Sequence, residues 1–405
     1  MTPLGGKIAA LIAANGPITV ADYMALCLGD PEHGYYMARE PFGGGGDFVT
    51  APEVSQVFGE LIGLWAVATW QAMGSPSPFV LAELGPGRGT LMADLLRAAR
   101  VRPAFLDAAR IHLVETSPRL RAEQEAALSG VAVTWHTDIH ALPPGPLIVV
   151  ANEFFDALPI RQYARTATGW AERMVGLDDA GRLAFGLRDI TQPVGSGPGL
   201  GELPSPPLVP AQAGTQFLQG AALQNLGPRL RGDERVGAGY PPAKSRGHDQ
   251  DQSMLEVSPA ATAIMSSLAA RIAAEGGAAL VIDYGYEGPA FGDTLQAVRG
   301  HAYADPLAEP GAADLTAHVD FTALVRAAAE AGAPPRLLVT QGDFLGRLGI
   351  AARAERLAAG KDDATRGAIA AALHRLTAPD AMGDLFKVLA LSHSGLALPA
   401  FDGDA

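Results

Sequence analysis

Cysteine is almost absent from this chain of 405 residues. Cys27 stands alone, which excludes an internal disulfide and any cysteine-rich zinc site. The nine histidines read as surface or satisfied core groups, and no metal is expected. Positive charge is scarce: 30 Lys and Arg are outnumbered by 43 Asp and Glu, for a formal net charge of −13. That balance argues against nucleic acid as a partner, because a phosphate backbone is bound through Lys and Arg. It suits a basic target. No uninterrupted apolar run reaches the roughly 18 residues of a membrane span, so no membrane insertion is expected. The opening MTPLGGKIAALIAANG is too short in its apolar run for a signal peptide and lacks the arginines of a mitochondrial presequence. A cytoplasmic protein is expected on that ground.

What is present is a globular composition, 48% hydrophobic and 18% charged, long enough to bury a large core. Its most informative stretch is Phe79–Leu91, FVLAELGPGRGTL. A buried strand ends at Glu83 and opens into Gly85, Gly87 and Gly89. A helix follows from about Thr90, with Leu91, Met92, Leu95, Leu96 and Ala99 on one face. Glycines are wanted in such a loop because no Cβ obstructs a ligand and positive φ costs little. The unit predicts a nucleotide-like ligand at the carboxyl edge of a parallel sheet.

S-adenosylmethionine is favoured over a dinucleotide. The spacing is one residue tighter than the G-x-G-x-x-G of pyrophosphate sites. Glu83 would repel a pyrophosphate but can face a sulfonium or an amino group. A second strand, Ile111–Val114, ends in Glu115, which can accept both ribose hydroxyl protons. A third, Val131–Trp135, is followed by Asp138, placed to receive an adenine amino group. A fourth, Leu147–Ala151, runs straight into Asn152, Glu153, Phe154, Phe155 and Asp156.

The alternating strands and helices predict an α/β fold of Rossmann-like type. Residues 1–75 read as an N-terminal helical and lid region, 76–201 and 253–395 as the core, 202–252 as a low-complexity disordered insertion and 396–405 as a tail. Near the N-terminus, Thr19 is a candidate helix N-cap, and a second helix is expected over 54–73. The glycine run at 43–46 reads either as a linker or as a lid, with Thr50 and Glu53 near the cofactor entrance. Gln162–Thr168 and Trp170–Leu177 predict a hairpin.

Several motifs recur in one order: HGYYM at 33–37, GGDFVTAPEVSQVFGE at 45–60, ELGPGRGTL at 83–91, ANEFFDALP at 151–159, VIDYGY at 281–286, HVDF at 318–321, TQGDFLGRLGI at 340–350 and MGDLFKVLALS at 382–392. Together they resemble the MidA-like S-adenosylmethionine-dependent methyltransferases, whose eukaryotic members are mitochondrial complex I assembly factors. The likeness covers nearly the whole chain outside 202–252. It implies a class I methyltransferase fold with a seven-stranded sheet, and arginine methylation on a respiratory complex I-type subunit. It maps the glycine loop onto Gly85, Gly87 and Gly89 and the ribose acid onto Glu115.

A guanidinium is cationic at neutral pH, so carboxylates must hold it. Glu153 is the candidate for that grip and for taking a proton, with Asp156 as second carboxylate and Asn152 as an orienting group. Asp156 reads equally as a helix cap. Phe154 and Phe155 are candidates for the channel wall. Asp283, Tyr284 and Tyr286 form a further cluster that either lines the acceptor pocket or supports the sheet edge. His318 and Asp320 in HVDF read either as a general-base pair or, for Asp320, as a helix cap, the cap being preferred. A nicotinamide oxidoreductase, a non-catalytic assembly factor and a small-molecule methyltransferase stand as alternatives.

Overall fold

The computed structural model describes residues 1–38, 50–167, 169–190, 254–288 and 290–401. Its centre is a sheet of seven strands in an unbroken row, β1 (Phe79–Leu84), β2 (Ala109–Val114), β3 (Val133–His136), β4 (Leu147–Asn152), β5 (Gly277–Tyr286), β6 (Val339–Thr340) and β7 (Phe386–Ser392). They lie in the order β6-β7-β5-β4-β1-β2-β3, with Val319–Asp320 added beside the end of β5. Strands β1 to β5 run parallel, with Leu81 opposite both Ile111 and Ile148. Strand β7 is antiparallel to β5 and to β6.

The parallel strands read as near-continuous apolar runs because both faces are covered. Alternate residues take opposite sides. From β1, Phe79 and Leu81 enter one core, while Val80, Ala82 and Leu84 enter the other. Helices α3 (Gln56–Ala72) and α4 (Thr90–Ala99) pack on the first side, and α6 (Pro259–Glu275) and α7 (Phe321–Glu330) on the second. All five residues placed on the apolar face of α4 are buried. This is the expected methyltransferase sheet.

The N-terminal residues do not stay together as one body. Helices α1 (Pro3–Asn15) and α2 (Val20–Gly29) leave the main sheet to α3 and pack in a third core with Val175, Ile160 and Leu315. That core lies against an antiparallel accessory sheet, in which Arg161–Thr166 and Gly169–Leu177 pair as the expected hairpin. Gly169–Leu177 also pairs with Ile18–Thr19, and Arg161–Thr166 with Met254–Val257. Thr19 caps α2 through a reciprocal bond set with Asp22. The helix expected over 54–73 breaks at Ser55, whose extended backbone separates Ala51–Val54 from α3 and whose hydroxyl caps α3. The stretch expected as a tail is anchored: Leu396 and Leu398 are buried, and Phe401 packs on Phe344. The glycine run at 43–46 and the 202–252 insertion lie outside the described residues.

Candidate active site

In an open parallel sheet the ligand crevice forms where strand order reverses, outside the carboxyl ends. Here that point lies between β1 and β4. Five acids stand at or just beyond the ends of the five parallel strands: Glu83, Glu115, Asp138, Glu153 and Asp283. Two adjoining cavities open there, both bordered by Gly85, Gly87 and Glu153. The smaller, about 390 Å³, is lined by Thr50, Glu53, Glu83, Thr90 and Asn152 among others. The larger, about 1220 Å³ and open to solvent, is lined by Tyr36, Glu115, Asp138, Phe154 and Ile264 among others.

Gly85, Gly87 and Gly89 all adopt positive φ, 60°, 53° and 82°. A Cβ on Gly85 would lie 2.9 Å from the ring of Phe154, so backbone and aromatic close on each other there. Gly89 lines neither cavity. It is the N-cap of α4, and a Cβ there would come within 3.3 Å of the Gln124 Cα on helix α5 (Pro118–Ala127). Its lack of a side chain serves helix packing rather than the ligand.

Glu83 is buried beneath the loop. The Met92 backbone N–H bonds its carboxyl, yet burial pushes the group up to about 8. Its Oε2 has no hydrogen-bond partner among the described residues. A buried polar atom without a partner is costly, and an ammonium in the smaller cavity would remove that cost. Beside it, Glu53 Oε1 accepts from the Thr90 hydroxyl at 2.5 Å, and Arg88 reaches both Glu53 and Glu123. Thr50 begins the short helix Ala51–Val54 without a side-chain capping bond.

Glu115 is buried at the edge of the larger cavity, its Oε1 accepting from Ser117 N at 2.8 Å and its Oε2 from Gln124 Nε2 at 3.2 Å. Burial pushes its carboxyl upward against these donors. Asp138 is exposed in the same cavity and accepts from the His140 backbone N–H at 2.8 Å. The orphaned Glu83 oxygen, the glycine cradle and two acids spaced along the larger cavity fit an S-adenosylmethionine amino group, backbone and adenosine.

Glu153 has φ of 50°, a left-handed conformation that L side chains other than Asn and Asp rarely take. Its Oε1 accepts from Ala51 N at 3.0 Å and from Asn152 Nδ2 at 3.1 Å, and its own N–H bonds Ile282 O. The strain is held from β5. Asp283, fully buried, accepts from Phe155 N at 2.9 Å and Asp156 N at 3.1 Å through Oδ2, and from Tyr284 N at 2.9 Å through Oδ1. Burial and the neighbouring Asp156 raise its carboxyl well above the usual range.

Asp156 is set apart from the cavities, lining neither; it is 5% exposed, and burial pushes it up to about 7. No helix follows it to be capped. Of the two phenylalanines, Phe154 walls the larger cavity while Phe155 is buried in the core. Tyr284 and His318 stack edge to face at 5.2 Å away from both cavities, and Tyr286 lines neither. Asp320 caps α7 through Ala323 N.

Two residues escaped the sequence reading. Tyr36, inside a quoted motif, borders the larger cavity and donates its hydroxyl to Asp314. Gln124 joins the glycine loop to Glu115. The weak signal for it was its four-residue spacing from Leu120 on an otherwise polar helix, which puts the two on one stripe; they are the buried residues of α5.

The family described as "Putative S-adenosyl-L-methionine-dependent methyltransferase" matches residues 61–337. A Drosophila melanogaster relative, "Protein arginine methyltransferase NDUFAF7 homolog, mitochondrial", is 37% identical, covering 97% of this chain and 86% of its own. The Homo sapiens protein arginine methyltransferase NDUFAF7, mitochondrial, is 34% identical over 96% of this chain and 83% of its own. A Burkholderia thailandensis structure bound to S-adenosyl-homocysteine superposes with TM-score 0.74 at 30% identity, covering 98% of this chain and 94% of that one. These likenesses bear out the resemblance and the cofactor read from the motifs. The expected cytoplasmic location is overturned, because the relatives are named as mitochondrial proteins. The opening residues on which that expectation rested form α1, a helix packed through Leu4, Ile8 and Ile12.

Proposed function

The chain belongs to this family of S-adenosyl-L-methionine-dependent methyltransferases, and we propose that its methyl acceptor is an arginine on another protein, a subunit of a respiratory complex I-type assembly. The observation that carries the reading is Glu153, a carboxylate that borders both cavities on a strained backbone at the switch point of the sheet. The arginine methyltransferase names of the relatives support the same acceptor.

When bound, S-adenosylmethionine supplies an electrophilic methyl group on a sulfonium. Glu83 would hold its amino group, Glu115 its ribose hydroxyls and Asp138 its adenine amino group. The rest falls to the chain's own residues, which position the acceptor and manage charge. Glu153 grips the guanidinium, with Oε1 fixed by Ala51 N and Asn152. Methylation leaves the acceptor nitrogen one proton in excess, and Glu153 takes it. Phe154 offers its ring to the planar cation. Asp156 lies behind, so the grip rests on Glu153 rather than on a carboxylate pair.

The test is Glu153→Gln. Labelled methyl transfer into extract from a strain lacking the enzyme should fall at least a hundredfold, with S-adenosylhomocysteine affinity changed only a few-fold. Unchanged transfer refutes the assignment, and mapping the label to a residue other than arginine refutes the acceptor.

A further inference from the structure

We propose that Gln124 is a positioning residue that sets cofactor affinity, by locking the glycine loop and the ribose acid into one frame. The inference rests on reading the cleft as the cofactor site. Gln124 is completely buried, and its side chain touches the ends of three strands at once. Its Nε2 donates to Gly87 O, in the loop after β1, at 2.7 Å, and to Glu115 Oε2, after β2, at 3.2 Å. Its Oε1 accepts from Trp135 Nε1 on β3 at 2.9 Å.

The indole nitrogen can only donate, so Trp135 fixes which way the amide points. Both amide hydrogens are thereby directed at the cofactor shell, one at each of two groups that border the larger cavity. The close approach of α5 is possible because Gly89 has no side chain to meet Gln124.

The same contact has an electrostatic consequence. Glu115 is buried, and a carboxylate out of water drifts toward its neutral form. Its carboxylate faces the Thr116 and Ser117 N–H groups of its own turn and Gln124 from α5, with the Arg121 charge nearby. Arg121 bonds the Glu115 backbone carbonyl, and the His136 carbonyl on β3 accepts from the Glu115 backbone N–H. Asp138, His140 and Glu153 lie around the same cavity. Gln124 supplies the side-chain donor that favours the ionised form of Glu115 against its burial, the form able to accept both ribose hydroxyls. Removing that donor ties cofactor affinity to the protonation of Glu115, and so to pH.

The experiment is calorimetric titration of S-adenosylhomocysteine into wild type, Gln124→Met and Gln124→Glu between pH 6 and 9, with folding checked by circular dichroism. Gln124→Met should bind at least tenfold more weakly at the lowest pH of the series, and the deficit should shrink as pH rises. Gln124→Glu preserves side-chain length but sets a second carboxylate against Glu115, so its deficit should grow as pH rises, opposite to that of Gln124→Met. In a Glu115→Gln background the added pH dependence should vanish. A Gln124→Met affinity within twofold of wild type, or a loss equal at every pH, overturns the proposal. Failure of the wild type itself to bind is a different result and refutes the cofactor reading underneath.

Discussion

Replacing Glu83 with Gln should make the ligand-free protein more stable while weakening its hold on the cofactor. An unfolded chain ionises this group near 4.5, whereas burial in the fold pushes it up to about 8. The folded state therefore favours the neutral acid. Its stabilising contribution is complete below pH 4.5 and is lost as pH rises through 8, at about 1.4 kcal/mol per pH unit. By pH 7 the wild type has forfeited about 3 kcal/mol through this one residue. Glutamine, shaped like the neutral acid, does not titrate. It should recover most of that figure, less what an amide N–H loses by facing the place where Oε2 has no partner. At this chain length that is a rise of several degrees in melting temperature at pH 7 to 8. Near pH 4.5 the difference should disappear. Binding moves the other way, because a carboxylate–ammonium hydrogen bond is worth about 1.5–3 kcal/mol and its loss weakens affinity roughly ten- to hundredfold. Cofactor uptake by the wild type at pH 7 should also release about one proton, since an ammonium favours the ionised form. Thermal melts across pH and titrations in buffers of different ionisation enthalpy read both effects. A variant that melts at or below the wild type at pH 8, or binds as tightly, refutes the reasoning.

Gly85→Ala sets a methyl group 2.9 Å from the Phe154 ring at φ of 60°. It should cost about 1–3 kcal/mol from the backbone alone and abolish measurable S-adenosylhomocysteine binding by calorimetry. Asp283→Ala strips acceptors from three buried N–H groups, each worth about 1–3 kcal/mol when left unmet, and should fail to fold stably in a denaturant titration. The milder Asp283→Asn keeps one carbonyl acceptor. It should retain cofactor affinity within a few-fold but lose most methyl transfer, because the turn carrying Glu153 is no longer held.

What could be read in the sequence was local. A strand buried on both faces and ending in an acid is a contiguous pattern, and it located Glu83, Glu115 and Glu153 at the edge of the sheet. The helix after the glycine loop was equally plain, because its period lies within ten residues. Contacts made across the chain were not visible. The pairing of Ile18–Thr19 and of Met254–Val257 into the accessory sheet joins residues far apart in sequence, and no periodicity announces it. The same holds for Gln124, whose partners belong to three separate strand ends.

Asp156 illustrates why adjacency misleads. Spaced three residues after Glu153, it looked like a second carboxylate for one cation, as it would be on a helix. The turn is not helical. Glu153 takes positive φ, the chain reverses, and Phe155 and Asp156 are drawn inward by Asp283, whose carboxylate accepts both of their N–H groups. The force that separates the two acids thus comes from β5, which carries its own aspartate into the sheet to receive them. Because a left-handed glutamate costs about 1–3 kcal/mol, the turn persists only while those bonds over-determine it. Glu153 therefore reaches both cavities while Phe155 and Asp156 are pulled away from them, and the proposed grip on the acceptor falls to Glu153 without Asp156.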